Sequence, residues 1–155
     1  MTISWAHKSF DELKNTELYE ILALRQEVFI IEQRCFYLDA DGIDINAVHL
    51  IGYDDDADKK IIAYARIMFP DADNLQNYVK FGRVLVDKSY RAMKLGKLLI
   101  QQILDYLQNS TYTEYPIKIS AQTYLIDFYK SFGFKPQDEI YLDAEIPHID
   151  MIAQQ

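Results

Sequence analysis

Val79-Lys-Phe-Gly-Arg-Val-Leu-Val86, Asp87-Lys-Ser-Tyr90, Arg91-Ala-Met-Lys-Leu-Gly96 and Lys97-Leu-Leu-Ile-Gln-Gln-Ile-Leu-Asp-Tyr-Leu107 form one unbroken stretch of the chain. Its first part is rich in β-branched and aromatic residues and reads as a strand, followed by a short polar turn. From Leu95 onward, Leu98, Leu99, Ile103 and Leu107 recur at helical spacing, so the last part reads as a helix whose apolar stripe must pack on a sheet. Arg91, Lys94, Gly96 and Lys97 fall in the first turn of that helix, where backbone amides lack partners and the macrodipole is positive. The stretch therefore predicts an anion cradle, and a pyrophosphate suits it.

Upstream, residues 3–8 alternate weakly, as an edge strand does. After Phe10 and Asp11 the spacing becomes helical, with Leu18, Ile21, Leu22, Val28 and Phe29 on one stripe. Arg25 falls inside that stripe and Glu32 on its continuation. An arginine on an apolar face snorkels, makes an ion pair, or fixes a substrate or loop. Residues 33–46 are irregular, with Asp39, Asp41 and Asp44 around Gly42. They lack the twelve-residue register and terminal glutamate of a calcium loop, so a solvated loop or a cation-attracting lip of a site is expected, and no metal. Residues 48–53 and 60–69 are β-rich runs joined by a polar turn, an antiparallel hairpin ended by Pro70 and the cluster at residues 71–74. Alternation puts Arg66 on a face with Tyr64 and Met68, and Arg83 on a face with Phe81 and Leu85.

Downstream, Pro116 opens a strand at residues 117–121, residues 122–131 read as a helix, and Gly133 stops it. Residues 134–142 and 146–152 form a closing pair of strands.

The chain has 155 residues, half of them apolar, with 12 Tyr and 8 Phe. That is enough for one domain with its own core, covering residues 1–155. A net charge of −8 argues against a nucleic-acid surface. The lone Cys35 leaves no internal disulfide, and neither a leader nor a membrane-length apolar run is visible, so a soluble cytoplasmic protein is expected.

The order of elements, Arg91-x-x-Lys94-x-Gly96 opening a helix, and Phe128-Tyr129-Lys-Ser-Phe-Gly133-Phe134 resemble the GNAT superfamily of acyl-CoA-dependent N-acetyltransferases. Lys94 stands where the family's loop has its first glycine. A closer likeness, to the bacterial ElaA-type subfamily, covers nearly the whole chain: Leu24-Arg-x-x-Val28-Phe, Glu32-Gln33 with Cys35, Asp39-x-Asp41-Gly42, His49-Leu-Ile-Gly, Ala63-Tyr-Ala-Arg-Ile67, Gly82-Arg-Val84 and Ile146-Pro-His148-Ile. That subfamily also carries lysine at the Lys94 position.

The resemblance implies an α/β (α+β) GNAT fold: a central, mixed, mostly antiparallel twisted sheet of six to seven strands flanked by about four helices. It implies acetyl-CoA as donor, bound over Val84, Leu85, Val86, Arg91, Ala92, Met93, Lys94, Leu95, Gly96 and Lys97 with Gln122 and Phe128, and a small amine as acceptor. Amides of residues 93–97 would wrap the pyrophosphate, and Val84 and Val86 would pair with the pantetheine. Tyr129 would be the general acid at the sulfur. The base is open among Glu32, His148, Glu145, Asp39, Asp41 and Asp44, or a water relay, and His148 has the suited pKa range. His49, within a strand, reads as structural. Arg25, Asp39, Asp41, Arg66 and Arg83 are the expected acceptor-side residues. A homodimer through an edge strand fits the fold. Two other functions fit the same chain: a non-catalytic acyl-CoA sensor, and an acyltransferase similar to acyl-homoserine-lactone synthases, suggested by Arg25-x-x-x-Phe29, the acidic loop and Arg66.

Overall fold

The computed structural model describes residues 1–71 and 75–155; positions 72–74 of the expected hairpin-ending cluster lie outside them. Among the described residues seven strands form one sheet: β1 (Ile3–Ser9), β2 (Val48–Asp54), β3 (Lys60–Met68), β4 (Val79–Val86), β5 (Ile117–Gln122), β6 (Lys135–Asp143) and β7 (Ile146–Ala153). Their order is β1-β2-β3-β4-β5-β7-β6, antiparallel throughout except for the parallel pair β4–β5. The helices are α1 (Asn15–Arg25), α2 (Leu95–Gln108) and α3 (Ile126–Lys130), with a π-helical segment, Gln26–Glu32, continuing α1. The mixed, mostly antiparallel sheet with about four helical segments is the expected architecture.

Burial on both faces explains why β2 and β3 read as nearly continuous apolar runs. Leu99, Ile100, Ile103 and Leu107 of α2 pack with Leu50, Ala63, Ala65 and Ile67 on one face. Ile21 and Leu24 of α1 pack with Ile51, Ile61 and Tyr64 on the other. That second cluster takes no residue from β5, β6 or β7, so the α1-side face of the C-terminal half of the sheet is left open among the described residues.

Three local expectations are corrected. Arg91 lies in a 3-10 turn, Lys88–Met93, and not in the helix; the helix starts only after Lys94 turns the chain with φ 59°. The helix expected over residues 122–131 is split into a 3-10 turn, Thr123–Leu125, and the short α3. Alternation also fails in β4. Tyr64 faces Leu85 and Arg66 faces Gly82, so Arg83 and Val84 together oppose Ala65 in a bulge, with Arg83 at φ 51°. Phe81 consequently packs on the α2 side and Leu85 on the α1 side. No helix among the described residues is long and apolar enough to cross a membrane.

Candidate active site

The bulge and the strand order together create a notch. β4 and β5 pair only at Val79–Ile117 and Lys80–Lys118, and then part. Backbone groups of β4 beyond that point have no partner on β5 and are open to a ligand laid along the strand. A non-glycine residue at positive φ costs about 1–3 kcal/mol. Here it is held by the side chain: Arg83 Nε donates to Asp39 Oδ1 at 2.7 Å, and its guanidinium stacks 5.4 Å from the Tyr37 ring.

At the mouth of the notch stands the N-terminus of α2. No side chain caps it. The Lys97 amide donates to the Lys94 carbonyl at 3.1 Å, and the amides just before it point along the helix axis with the positive end of the dipole. Gly96 lies under Phe128, and a Cβ there would meet Phe128 Cζ at 3.9 Å, with nothing closer.

Several of the expected site residues are brought together, some of them on each other. Arg91 binds Glu32 in a fork, at 2.6 and 3.0 Å, and its Nε donates to the Val86 carbonyl at 3.2 Å. An expected phosphate ligand and an expected base are thus joined as an ion pair across the top of the notch. Gln122, at the end of β5, donates to Gln33 Oε1 at 3.3 Å. The segment after α1 is therefore tied to both lips of the opening.

Tyr129 is 6% exposed, its ring packed edge-on to Phe128 and Phe134. Burial pushes its phenol above the ordinary tyrosine value, so the group stays protonated. His148 lies in β7 opposite Gln122 and Tyr141. Its Nδ1 sits 2.7 Å from the Ile146 carbonyl, which can only accept. Nδ1 therefore carries a hydrogen, and Nε2 is the nitrogen not engaged in that bond.

The carboxylates of the acidic loop are not bare: they are paired with arginines. Arg25, 1% exposed, donates Nε to Asp39 Oδ2 at 2.8 Å and Nη1 to Asp44 Oδ1 at 2.7 Å. Arg66 donates to Asp44 Oδ1 at 2.9 Å and to both oxygens of Asp41, at 2.7 and 2.6 Å. Arg83 completes the set through Asp39. Three arginines and three aspartates balance in charge and clamp residues 39–44 to the sheet. Arg25 and Arg66 are enclosed by these partners, so as the structure stands they hold the loop and do not face a substrate; Arg83 and Asp41 keep an accessible edge. The Arg66 hydrogen bond, with the charges of Arg66 and Arg83, holds Asp41 down at about 2 against the opposing effect of burial. His49 is structural: Nε2 donates to the Asp44 carbonyl at 2.9 Å and Nδ1 accepts from Tyr64. Burial lowers its pKa, keeping it neutral. Among the described residues no group of three or more His, Cys, Asp or Glu side chains is placed to hold a metal ion.

Sequence reasoning missed a second polar cluster, on the open sheet face. Tyr141 hydrogen-bonds Ser120 and Asp150, and Asp150 pairs with Lys118. The signal was present as polar residues alternating with apolar ones in β5 and β7, but which strands lay side by side was not.

A family model described as an acetyltransferase (GNAT) domain matches residues 42–154. The chain belongs to the GNAT acetyltransferase family. It falls with the ElaA-type members: it is 38% identical to Protein ElaA of Escherichia coli over 151 residues, 96% of this chain and 95% of the relative. It is 40% identical to a UPF0039 protein of Synechocystis over 155 residues, 98% and 96% of the two chains. The crystal structure of E. coli ElaA superposes with a TM-score of 0.88 at 36% identity, covering 99% of this chain and all of that one. An acyl-CoA N-acyltransferase from Pseudomonas aeruginosa superposes with a TM-score of 0.89 at 33% identity, covering 98% and 99%. Within a GNAT chain, the parting of β4 from β5 and the uncapped start of α2 are the parts of the fold that lie at the candidate site.

Proposed function

We propose that the protein is an acetyl-CoA-dependent N-acetyltransferase, moving the acetyl group directly to the primary amine of a small molecule or peptide within a ternary complex. The observation that carries this reading is the notch between β4 and β5, with the uncapped N-terminus of α2 at its mouth. Residues 93–97 suit a pyrophosphate through their amides, with Lys94 and Lys97 adding charge, while Ala92, Gln122 and Phe128 border the path. Val84, Leu85 and Val86 suit the pantetheine arm, which needs amide partners along an extended chain.

The thioester supplies an activated acyl carbon. Transfer forms a C–N bond and breaks a C–S bond, so a proton must leave the amine nitrogen and one must reach the sulfur. His148 Nε2 suits the first task, directly or through one water, and Tyr129 the second. Glu32, joined to Arg91, holds that arginine at the lip in this reading. A cytoplasmic setting fits Cys35, whose thiol is buried and held protonated by burial and by Asp143 and Glu145.

Calorimetry with CoA and a thiol-release assay with acetyl-CoA test the reading. Expected are saturable CoA binding and thiol release that depends on an added amine, with the release rate, but not CoA binding, falling in H148Q. CoA binding without release across polyamines, amino acids, aminoglycosides and peptides would make the chain a sensor. Absence of CoA binding would remove the reading altogether.

Gly96→Ala offers a separate check on the phosphate end. The added methyl meets only Phe128, at ordinary contact distance, so the free protein should be unchanged or stabilised by up to ~1 kcal/mol. If a phosphate packs on Gly96, affinity for CoA should nonetheless fall about tenfold, the equivalent of ~1.4 kcal/mol. Unchanged affinity in calorimetry would place the phosphates elsewhere.

A further inference from the structure

The open face of the C-terminal half-sheet carries a cleft of about 430 Å³, lined in part by Tyr78, Lys80, Lys118, Ser120, Tyr141 and Asp150. Lys80 and Lys118 are the last residues at which β4 and β5 pair. Ser120 is the next β5 residue on their face, since Ile117, Ile119 and Ala121 turn to the α2 side, so it stands where the notch begins. Across the opening Gly82 leaves the approach free: a Cβ there would meet nothing within 4 Å.

The charged groups of this cleft answer one another. Lys118 donates to Asp150 at 3.0 Å, and the charge of Lys80 acts on Asp150 as well. Burial alone would raise the Asp150 pKa, but the hydrogen bonds from Tyr141 and Lys118 and the charges of the two lysines outweigh it. The carboxylate is therefore ionised and can only accept. Tyr141 accordingly gives its single hydroxyl hydrogen to Asp150 Oδ1, at 2.8 Å. The hydrogen bond between Tyr141 and Ser120 is left with one direction, in which the Ser120 hydroxyl donates and the phenol oxygen accepts. With its only hydrogen committed, Ser120 Oγ presents lone pairs alone, and among the described residues nothing donates to them.

His148 shares this face. Ser120 lies opposite Asp150 and Gln122 opposite His148, so Ser120 and His148 are diagonal neighbours across an antiparallel pair, with Cβ atoms about 7 Å apart. The Tyr141 ring is stacked beside the His148 ring, at 6.1 Å and 22°, while its hydroxyl holds Ser120. One nitrogen that donates to both groups needs them within about 6 Å of each other, which side chains on that diagonal reach.

We propose that Ser120 Oγ accepts a hydrogen bond from the reacting nitrogen of the acceptor, so that Ser120 positions the amine while Tyr141 and Asp150 fix the direction of its hydroxyl. The inference rests on the acyltransferase reading and gives a reason for a primary amine as its substrate. A neutral primary amine has two hydrogens and one lone pair. The lone pair meets the thioester carbon, one hydrogen turns to His148 Nε2 and leaves as the C–N bond forms, and the other stays on Ser120 Oγ. That second hydrogen is the N–H of the amide product, so Ser120 takes up no proton. A secondary amine has one hydrogen and must give up one of the two contacts.

The test uses methylamine and dimethylamine, the smallest such pair, so that the unidentified remainder of the acceptor plays no part. With the full chain and acetyl-CoA, kcat/KM for methylamine should exceed that for dimethylamine about tenfold, the size of one hydrogen bond. Ser120→Ala should lower the methylamine value about tenfold, leave dimethylamine within about twofold, and leave the Kd for CoA unchanged, while Ser120→Thr, which keeps the hydroxyl, should restore the preference. Tyr141→Phe keeps the ring beside His148 but lets the Ser120 hydroxyl rotate, so methylamine should fall about threefold. A merely steric Ser120 predicts the reverse, with dimethylamine faster in Ser120→Ala and methylamine unaltered, and that result overturns the proposal. So do an equal loss of both amines in Ser120→Ala, their equal use by the parent, and thiol release with polyamines or amino acids but none with methylamine. Failure of CoA to bind, or binding without release for every amine, would instead overturn the acyltransferase reading.

Discussion

Tyr129→Phe is expected to lower kcat for acetyl transfer about 100-fold, the lower end of what one positioned acid contributes, and to leave CoA binding intact. The ring is a packing element, with Phe128 at 5.2 Å, Phe134 at 5.9 Å and Phe81 at 6.4 Å, and phenylalanine keeps all three contacts. The hydroxyl has no hydrogen-bond partner among the described residues, yet it is not among the fully enclosed polar atoms that lack one. It reaches accessible space from an apolar setting. Removing it breaks no hydrogen bond, so thermal stability should be unchanged or slightly higher. Because burial raises the phenol's pKa, it remains a donor throughout the range in which an amine acceptor loses its proton. Tyr129 should accordingly contribute no alkaline limb below the ordinary tyrosine range, and the variant's loss should be the same at pH 7 and pH 9. A thiol-release assay across that range is the measurement, and unchanged turnover throughout would remove Tyr129 from the chemistry.

The parts of this fold that could be read from the chain are those in which a local pattern has one physical meaning. The stripe Leu95, Leu98, Leu99, Ile103, Leu107 reads as a helix face, and it is one: four of the five are buried, while Leu98, beside the stripe's edge, is 47% exposed. The apolar runs of β2 and β3 mark strands covered on both sides. The bulge escaped notice because a left-handed arginine carries no local signal: Arg83 is held at φ 51° by Asp39, more than forty positions away in sequence. Separation along the chain also hides the meaning of the acidic loop. Three carboxylates around a glycine look like solvated charge until α1 brings Arg25, and the strands bring Arg66 and Arg83, beside them. Arg91 and Lys94 suit the first turn of a helix by residue type, so the sequence alone starts α2 too early; the chain instead makes a 3-10 turn capped by Asp87, whose side chain accepts from the Ser89 amide at 2.8 Å. The cleft on the open face depends on β7 inserting between β5 and β6, a topological fact that alternation within each strand cannot report.

Arg25→Ala should destabilise the protein by about 3–5 kcal/mol, since it leaves Asp39 and Asp44 buried with too little positive charge. Against a typical total of about 5–15 kcal/mol, that is enough to unfold a marginal chain near physiological temperature. Arg66 and Arg83 cannot take over the lost partner. Arg66 already uses both terminal nitrogens on Asp41 and Asp44, and its buried Nε has no acceptor to turn toward. The network also sets a pH dependence whose sign follows from its carboxylates. Asp41, bonded by Arg66, is held near 2, below its ordinary 3.8. Burial alone would raise Asp44, but the hydrogen bonds and charges of Arg25 and Arg66 outweigh it and bring it below its ordinary value. A group with a depressed folded-state pKa binds protons more readily when unfolded, so its contribution is complete above the unfolded value and lost as pH falls through the folded one. Denaturant midpoints should therefore be flat from neutral pH to about 5 and fall between roughly 4 and 2. In Arg25→Ala the Asp44 pKa should move back up, so part of that fall should begin at higher pH than in the parent. A parallel acid profile in the two proteins would mean that Arg25 does not hold Asp44 ionised, and that the clamp on the loop rests on Arg66 and Arg83 alone.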